Sequence, residues 1–170
     1  DANGQVDLAI RITDTPAPGL AGRPLMRIRH LICASPAYLG RHGMPVHPRD
    51  LQQHSCLYLG EDERDRHWRF EKDGDEVSVR VSGRYVANHS EVRLEGALMH
   101  LGIASLPEFT ARQALAKGQL VAVLPAWSHL TNYAGTAWLL YPPNRFLALK
   151  LRVWIDFLVE ALAAPENFDK

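Results

Sequence analysis

Apolar and polar residues alternate near the start of the chain, between positions 6 and 12. The apolar members of this run are Val6, Leu8, Ile10 and Ile12. A period of two predicts a β-strand with one strongly buried face. Because no strand or helix comes before it in the sequence to pair with it or cover it, we interpret the chain as a fragment of a longer protein.

Apolar runs and stretches of helical spacing alternate along the rest of the chain. The apolar runs that predict strands or buried stretches cover residues 27–34, 56–59, 68–70, 77–81, 103–106, 120–124 and 137–141. Residues 13–25 contain three prolines and two glycines, which predict a loop. Asp73-Gly74 is the strongest hairpin signal in the chain. Strands that alternate with helices predict the α/β class.

Two helices have clear signals at their ends or along one face. Ser35 before Pro36 predicts the start of a short helix, and Gly43 predicts its end. The longest predicted helix covers residues 145–163, and its polar residues keep the opposite side in water. The apolar stripe of this helix consists of Leu147, Leu151, Trp154, Leu158 and Leu162.

The middle of the chain predicts two further helices on either side of a short buried strand. Asn88, with Glu91 three residues later, fits a capping box, so Asn88 is the predicted N-cap of the first. Gly102 is placed where that helix is expected to stop. The second helix opens at Pro107 and is stopped by Gly118.

Composition excludes several classes of protein. With 170 residues and 46% hydrophobic residues, the chain has enough apolar surface for one large domain or two small ones. The chain has 19 Lys and Arg residues and 19 Asp and Glu residues. Surfaces that bind the DNA backbone are usually basic, so this balance argues against a DNA-binding surface in this part of the protein. No apolar run is long enough to span a membrane.

Cys33 and Cys56 lie in apolar runs typical of buried free thiols in the cytoplasm, although a disulfide between them is an open alternative.

Sequence motifs give little support for catalysis or for metal binding. The chain has no Gly-x-Ser-x-Gly, His-Glu-x-x-His or Cys-x-x-Cys motif. His42, His47, His54 and Cys56 are close in sequence, but their spacing matches no common zinc pattern. The charged run 61–66 predicts a solvated loop. We therefore expect no catalytic residue, no metal and no cofactor.

Several segments, taken together, resemble the effector-binding domain of LysR-type transcriptional regulators. The most specific is residues 30–39, which read HLICASPAYL. The other matching segments are residues 6–11, 43–45, 48–57, 97–107, 118–121, 124–125 and 140–142, followed by the final helix. Their order and spacing fit the family over nearly the whole chain.

The resemblance implies an α/β, two-lobed, periplasmic-binding-protein-like (type 2) fold in which lobe I is incomplete. Residues 1–29 and 135–170 would form the remnant of lobe I, and residues 30–134 would form the inserted lobe II. It also implies that the parent protein is a cytoplasmic, bacterial regulator rather than an enzyme. In that family a small effector, usually an anion or an aromatic acid, binds between the lobes. DNA is bound only through an amino-terminal helix-turn-helix that this chain lacks, and the intact protein is a homodimer or tetramer.

The candidate effector-binding residues lie at predicted strand ends and helix starts. They are Arg11, Asn88, His89, Ser90, Ser105, Leu106 and Pro107. A helix N-terminus and a guanidinium both suit a carboxylate. Simpler structural roles stand beside these: Asn88 and Ser90 as caps, Arg11 in a surface ion pair, and Leu106 in the core. Ser35 is expected mainly to cap its helix, with ligand contact as the lesser alternative.

Two other functions are compatible with the same fold. If the chain is a periplasmic solute-binding protein, we expect a signal peptide upstream and a tightly bound ligand. If the chain is an enzyme, we expect a carboxylate or histidine with a perturbed pKa in the cleft and no DNA-binding segment. The upstream reading frame separates all three functions.

Overall fold

The computed structural model of the protein describes residues 9–13, 15, 18–87, 89–131, 133–141 and 149–163. The strands in these residues are β1 (Ala9–Thr13), β2 (Ala21–Ile28), β3 (His30–Ala34), β4 (Cys56–Leu57), β5 (His67–Lys72), β6 (Asp75–Arg80), β7 (Ile103–Pro107), β8 (Val121–Val123), β9 (Ser128–Leu130) and β10 (Gly135–Tyr141). The α-helices are α1 (Pro36–His42), α2 (Ser90–Leu98), α3 (Glu108–Ala116) and α4 (Leu149–Ala163), with 3₁₀ turns at Pro48–Gln53 and Glu63–Arg66. The predicted α/β class is confirmed. The chain forms two compact units, one drawn from residues 1–28 and 133–170 and the other from residues 29–132.

The first unit is a three-stranded antiparallel sheet in the order β1-β10-β2. Helix α4 packs on β2 and buries Ile155 against Leu25, Ala137 and Leu139. The indole Nε1 of Trp138 donates a hydrogen bond to the carbonyl oxygen of Thr13 at 3.0 Å. That bond adds to the pairing that holds β1 against the central strand β10.

The prediction that the first strand buries one face strongly is wrong for the described residues. Ile10 and Ile12 are 63% and 39% exposed. They pair with Leu139 and Ala137 and therefore lie on the core face of the sheet. However, β1 is the edge strand and α4 packs on β2, at the other edge. Val6 and Leu8 lie outside the described residues.

The predicted apolar stripe of the last helix is only partly correct. Trp154 is 57% exposed, whereas Ile155 is buried and Leu158 packs beside it. Ile155 lies only about 60° around the helix axis from Leu158, so the side that faces the sheet includes part of the predicted stripe and excludes Trp154. Leu147 lies outside the described residues.

The second unit contains two sheets. A four-stranded sheet has the order β4-β7-β3-β8, and a three-stranded antiparallel sheet has the order β6-β5-β9. Helices α2 and α3 pack on β7, where Leu57, Ala104 and Leu106 belong to one buried cluster. Ile32 and Phe70 belong to a second cluster, which includes residues of the three-stranded sheet. The central strands β3 and β7 therefore contribute to both cores.

Local turn and cap signals are confirmed where they depend on adjacent residues. Asp73 and Gly74 have φ values of 53° and 86° in the turn between β5 and β6, as a tight hairpin requires. The Ser35 hydroxyl oxygen accepts the backbone N–H of Tyr38 at 3.1 Å, which caps α1. Gly43, with φ of 87°, ends that helix.

The predicted strand 27–34 is wrong as a single element. It is divided at Arg29 between β2 of the first unit and β3 of the second. Strand β2 also extends back to Ala21, into the predicted loop 13–25. Pro24 is tolerated because β2 is an edge strand and its register shifts opposite Trp138.

The boundaries predicted for the helix that starts near Asn88 are also wrong. The N-cap of α2 is His89, whose side chain makes no capping hydrogen bond, and Asn88 lies outside the described residues. The helix ends at Leu98, and His100 rather than Gly102 adopts the left-handed conformation, with φ of 65°. Gly102 is instead buried against Ser55, where an added Cβ would collide with the carbonyl oxygen of Ser55.

The cysteines and the charged run have structural explanations. Cys33 and Cys56 are free and buried, which confirms the free-thiol prediction and excludes the disulfide. Burial raises the pKa of each thiol to about 12. Within the charged run, Glu63–Arg66 forms an exposed 3₁₀ turn instead of an irregular loop, and Arg80 pairs with Glu63 at 2.9 Å.

Candidate functional site

Four polar side chains come together in the second unit on β3, α2, β7 and β9. We call this group, consisting of His30, Arg93, Ser105 and His129, the His30 cluster. Arg93 is only 6% exposed, although it is charged. Its Nε donates to the carbonyl oxygen of Ser105 at 3.0 Å, and its Nη1 donates to that of Ala87 at 2.8 Å. These two bonds attach the guanidinium to the strand β7 and to the segment before α2.

The hydrogen bonds of His129 determine its tautomer. Its Nδ1 lies 3.3 Å from the carbonyl oxygen of Arg69, and a carbonyl can only accept, so Nδ1 carries the proton. In the neutral ring Nε2 therefore accepts from the hydroxyl of Ser105, 2.9 Å away. Phe70 stacks on the ring at a centroid distance of 4.9 Å. Burial is the main cause that lowers the pKa of His129 to about 4.

His30 differs from His129 because one of its ring nitrogens has no partner. Its Nδ1 is buried and forms no hydrogen bond. Burial, followed by the charge of Arg93, lowers the pKa of His30 to about 4. The ring is therefore neutral at pH 7. A buried polar atom without a partner is uncommon in folded proteins, and it marks a position where an incoming polar group would be stabilised.

Ser90 and Thr110 form a second polar contact where two helices begin. Their hydroxyl oxygens are 3.2 Å apart, and each lies in the first turn of its helix, α2 or α3. The Ser90 hydroxyl bonds to Thr110 on α3, so the expectation that Ser90 only caps its own helix is wrong. Helix N-termini with hydroxyl groups favour negatively charged groups nearby.

The structure places the predicted site residues in different settings. Ser105 belongs to the His30 cluster, whereas Leu106 is fully buried under α2 and α3. Pro107 pairs with His30 across β7 and β3. Arg11 is exposed in the middle of β1, in the other unit, and His89 is exposed before α2. Asn88 lies outside the described residues.

Sequence reasoning missed three members of the cluster. On α2 the buried residues are Arg93 and Ala97, four positions apart, so the available signal was a charged residue on the buried face of a helix. His30 lies inside the predicted strand 27–34, where nothing in the apolar pattern indicates a polar site. His129 lies in β9, a strand that the apolar pattern did not predict.

The histidines nearest to Cys56 have local structural roles. His47 Nδ1 accepts the backbone N–H of Arg49, and the Tyr38 hydroxyl lies 3.0 Å from His54 Nδ1. Ser35 is buried, and its hydroxyl lies 2.7 Å from His100 Nδ1 in addition to capping α1. Across the described ranges, no three His, Cys, Asp or Glu side chains are arranged to hold a metal ion.

No helix in the described part of the chain has the length and apolar character needed to cross a membrane.

Comparison with known proteins identifies the relatives of the chain. Residues 2–163 match the LysR substrate binding domain. The chain is 52% identical over 159 residues to the probable HTH-type transcriptional regulator LtrA of Klebsiella pneumoniae, with 94% of this chain and 52% of LtrA covered. It is 32% identical to the HTH-type transcriptional regulator DmlR of Escherichia coli, with 95% of this chain and 52% of DmlR covered. The chain thus spans about half the length of these relatives.

A solved structure supports the same assignment. The regulatory domain of CrgA, a LysR-type transcriptional regulator from Neisseria meningitidis, superposes with a TM-score of 0.74 at 29% identity. The match covers 92% of this chain and 75% of that domain. The two-lobed, periplasmic-binding-protein-like fold of such regulatory domains agrees with the two units described above. The chain therefore belongs to the LysR substrate-binding-domain family.

Proposed function

We propose that the chain is the effector-sensing part of a bacterial LysR-type regulator that binds DNA and controls transcription. The observation that carries the proposal is the family match over residues 2–163. In this proposal the unit from residues 1–28 and 133–170 is lobe I, and the unit from residues 29–132 is lobe II. An effector that binds one arrangement of the lobes better than another shifts the regulator between its states.

We propose further that the effector is a small anion. The buried Arg93 and the unpartnered nitrogen of His30 support a negatively charged ligand at lobe II. The hydroxyls of Ser90 and Thr110, each in the first turn of a helix, add polar groups that also favour a negatively charged ligand. From lobe I, Arg11 offers an exposed guanidinium.

Each of the seven sequence-predicted residues keeps a role within this proposal. Ser90 and Ser105 offer hydroxyl groups, and Arg11 and His89 offer exposed polar side chains. For Leu106 and Pro107, which are buried, we propose a role in shaping the site through the backbone. Asn88 remains a candidate from the sequence alone.

A ligand screen tests the effector proposal directly. Thermal-shift measurements with carboxylates, amino acids and aromatic acids are expected to show stabilisation by at least one carboxylate, because a ligand of the folded state raises its melting temperature. Arg11→Gln is expected to weaken that stabilisation, while Arg64→Gln, at an exposed site in the 3₁₀ turn, serves as the matched control. A screen in which no organic anion stabilises the chain contradicts the proposal.

DNA binding and assembly are proposed for the parent protein alone. The relatives named above are HTH-type regulators about twice as long as this chain, which supports an upstream helix-turn-helix. A cytoplasmic location and a homodimer or tetramer are part of the same proposal and rest on the family resemblance. The relatives support neither the periplasmic alternative nor an enzyme. In a gel shift, the parent protein is expected to retard its promoter DNA and this chain is expected not to. An upstream reading frame without a helix-turn-helix contradicts this proposal.

A further inference from the structure

The His30 cluster contains one nitrogen whose hydrogen-bonding capacity is unused. The Nδ1 of His30 is buried without a partner, whereas both ring nitrogens of His129 face partners, namely the Arg69 carbonyl and the Ser105 hydroxyl. Of the two histidines, therefore, His30 and not His129 has a ring nitrogen left to bond to a ligand. An oxyanion is the ligand that suits it, because a protonated imidazole and a guanidinium both donate to oxyanions.

We propose that the His30 cluster binds an oxyanion and that His30 takes up one proton from solvent when the anion binds. This inference rests on the proposed function and adds to it the residues and the proton linkage. In the complex, Nδ1–H of the protonated ring donates to the anion. The bound anion also counteracts the repulsion between this ring and Arg93.

The groups around His30 determine the direction of the linkage. From α2 it faces the Arg93 guanidinium, and from β9 it faces the His129 ring, which is itself neutral at pH 7. From β7 its cross-strand neighbour is Pro107, which carries no charge. Helix α3 begins with the exposed carboxylate of Glu108, whose backbone N–H bonds to the carbonyl of Arg29 at 2.8 Å.

Burial and Arg93 hold the pKa of His30 at about 4 in the free protein. A negative charge against the ring favours the protonated form and raises that pKa. Proton uptake and anion affinity are then reciprocally linked. Anion affinity is expected to fall as pH rises, by up to about tenfold per pH unit between the free-state and anion-bound pKa of His30.

Titration of the whole 170-residue chain with sodium sulfate tests the inference. Sulfate stays doubly ionised in this range, so a pH dependence of its affinity arises from the protein. Isothermal calorimetry at about pH 5.5, about pH 6.5 and about pH 7.5, at constant ionic strength, gives that dependence. Repeating the titration in two buffers with different ionisation enthalpies counts the protons taken up. We expect uptake of up to one proton per sulfate, and a sulfate affinity that falls by up to about tenfold per pH unit as pH rises.

Two variants separate this mechanism from a general charge effect. His30→Gln keeps a polar side chain that cannot be protonated, and it is expected to remove the proton uptake and flatten the pH dependence. His67→Gln removes an exposed histidine on β5 and is expected to leave both unchanged. Equal sulfate binding by the wild-type and His30→Gln chains, or binding without proton uptake, indicates an adventitious ion only and overturns the inference.

The inference and the proposed function fail in different ways. If a carboxylate from the ligand screen binds with no effect of pH or of His30→Gln, the proton-linked site is wrong and the proposed function stands. If sulfate binds with proton uptake but no organic anion binds, the site is correct and the proposed sensing of an organic effector is wrong. The imidazole resonance of His30 in NMR spectra reports its protonation in both experiments.

Discussion

Mild acid is expected to destabilise the unit that contains the His30 cluster. His30 and His129 both have a pKa of about 4 in the folded chain, against an ordinary value of 6.5. Below pH 6.5 the unfolded chain binds protons that the folded chain does not. The free energy of unfolding therefore falls as pH drops from 6.5 towards 4, and the loss levels off below that pH.

The size of the effect follows from the two pKa values. For one ring, a pKa of 6.5 unfolded and about 4 folded gives a loss of about 2 kcal/mol between pH 7 and pH 5. Both residues retain some solvent exposure, which reduces the penalty. We therefore expect about 2–3 kcal/mol for the pair. His54, whose pKa burial also lowers, acts in the same direction. The low-pKa carboxylate of Asp50 loses its stabilising contribution only at lower pH.

Urea unfolding at about pH 7, about pH 6 and about pH 5 provides the assay. Trp68 is buried, with its ring centroid 5.5 Å from that of His129, so its fluorescence reports on this unit once Trp138 and Trp154 of the other unit are replaced by Phe. His129→Gln is expected to remove about half of the loss between pH 7 and pH 5, while the control His67→Gln leaves it unchanged. A free energy of unfolding that is the same at pH 5 and pH 7, or the same loss in His129→Gln, refutes the reasoning.

Three further predictions concern thiols, glycines and the buried guanidinium. Burial raises the pKa values of Cys33 and Cys56 to about 12, so both thiols are expected to react with an aromatic disulfide reagent at least about a hundredfold more slowly in the folded chain than in urea. Equal reaction rates in the folded and the urea-unfolded chain contradict this. Gly83→Ala is expected to lower the free energy of unfolding by more than about 2 kcal/mol, because the added Cβ collides with the Cys56 carbonyl. Gly40→Ala, in open space on α1, is expected to raise it by about 0.5–1 kcal/mol, and thermal melting of both variants checks this. Arg93→Met leaves two backbone carbonyls without their donors and is expected to cost about 2–4 kcal/mol in urea unfolding; a loss below about 0.5 kcal/mol contradicts it.

Features that depend on neighbouring residues could be predicted from the sequence. The cap at Ser35 and the turn at Asp73-Gly74 are examples, because each needs only a few adjacent residues. The division of the chain at Arg29 could not be predicted in this way. Nothing local distinguishes residues 27–34 from one strand, and the two halves separate because they pair with different partners, β10 and β7.

The candidate site shows the same limit at the level of single side chains. Ser90 and Ser105 were predicted because they lie at a helix start and near a strand end. Arg93 was missed because an arginine inside a helix normally faces solvent, and its burial depends on carbonyl groups of Ala87 and Ser105 that only the tertiary fold brings near. Whether these residues bind an effector stays a prediction.

The exposed edge strand β1 has a consequence for the chain in concentrated solution. An edge strand presents backbone groups to other molecules, and the exposed Ile10 and Ile12 would favour edge-to-edge stacking of copies. Arg11 lies between them, and identical strands stacked in register would bring like charges together. We therefore expect this positive charge to disfavour in-register stacking of copies along the strand edge, an effect on colloidal stability that is independent of any ligand.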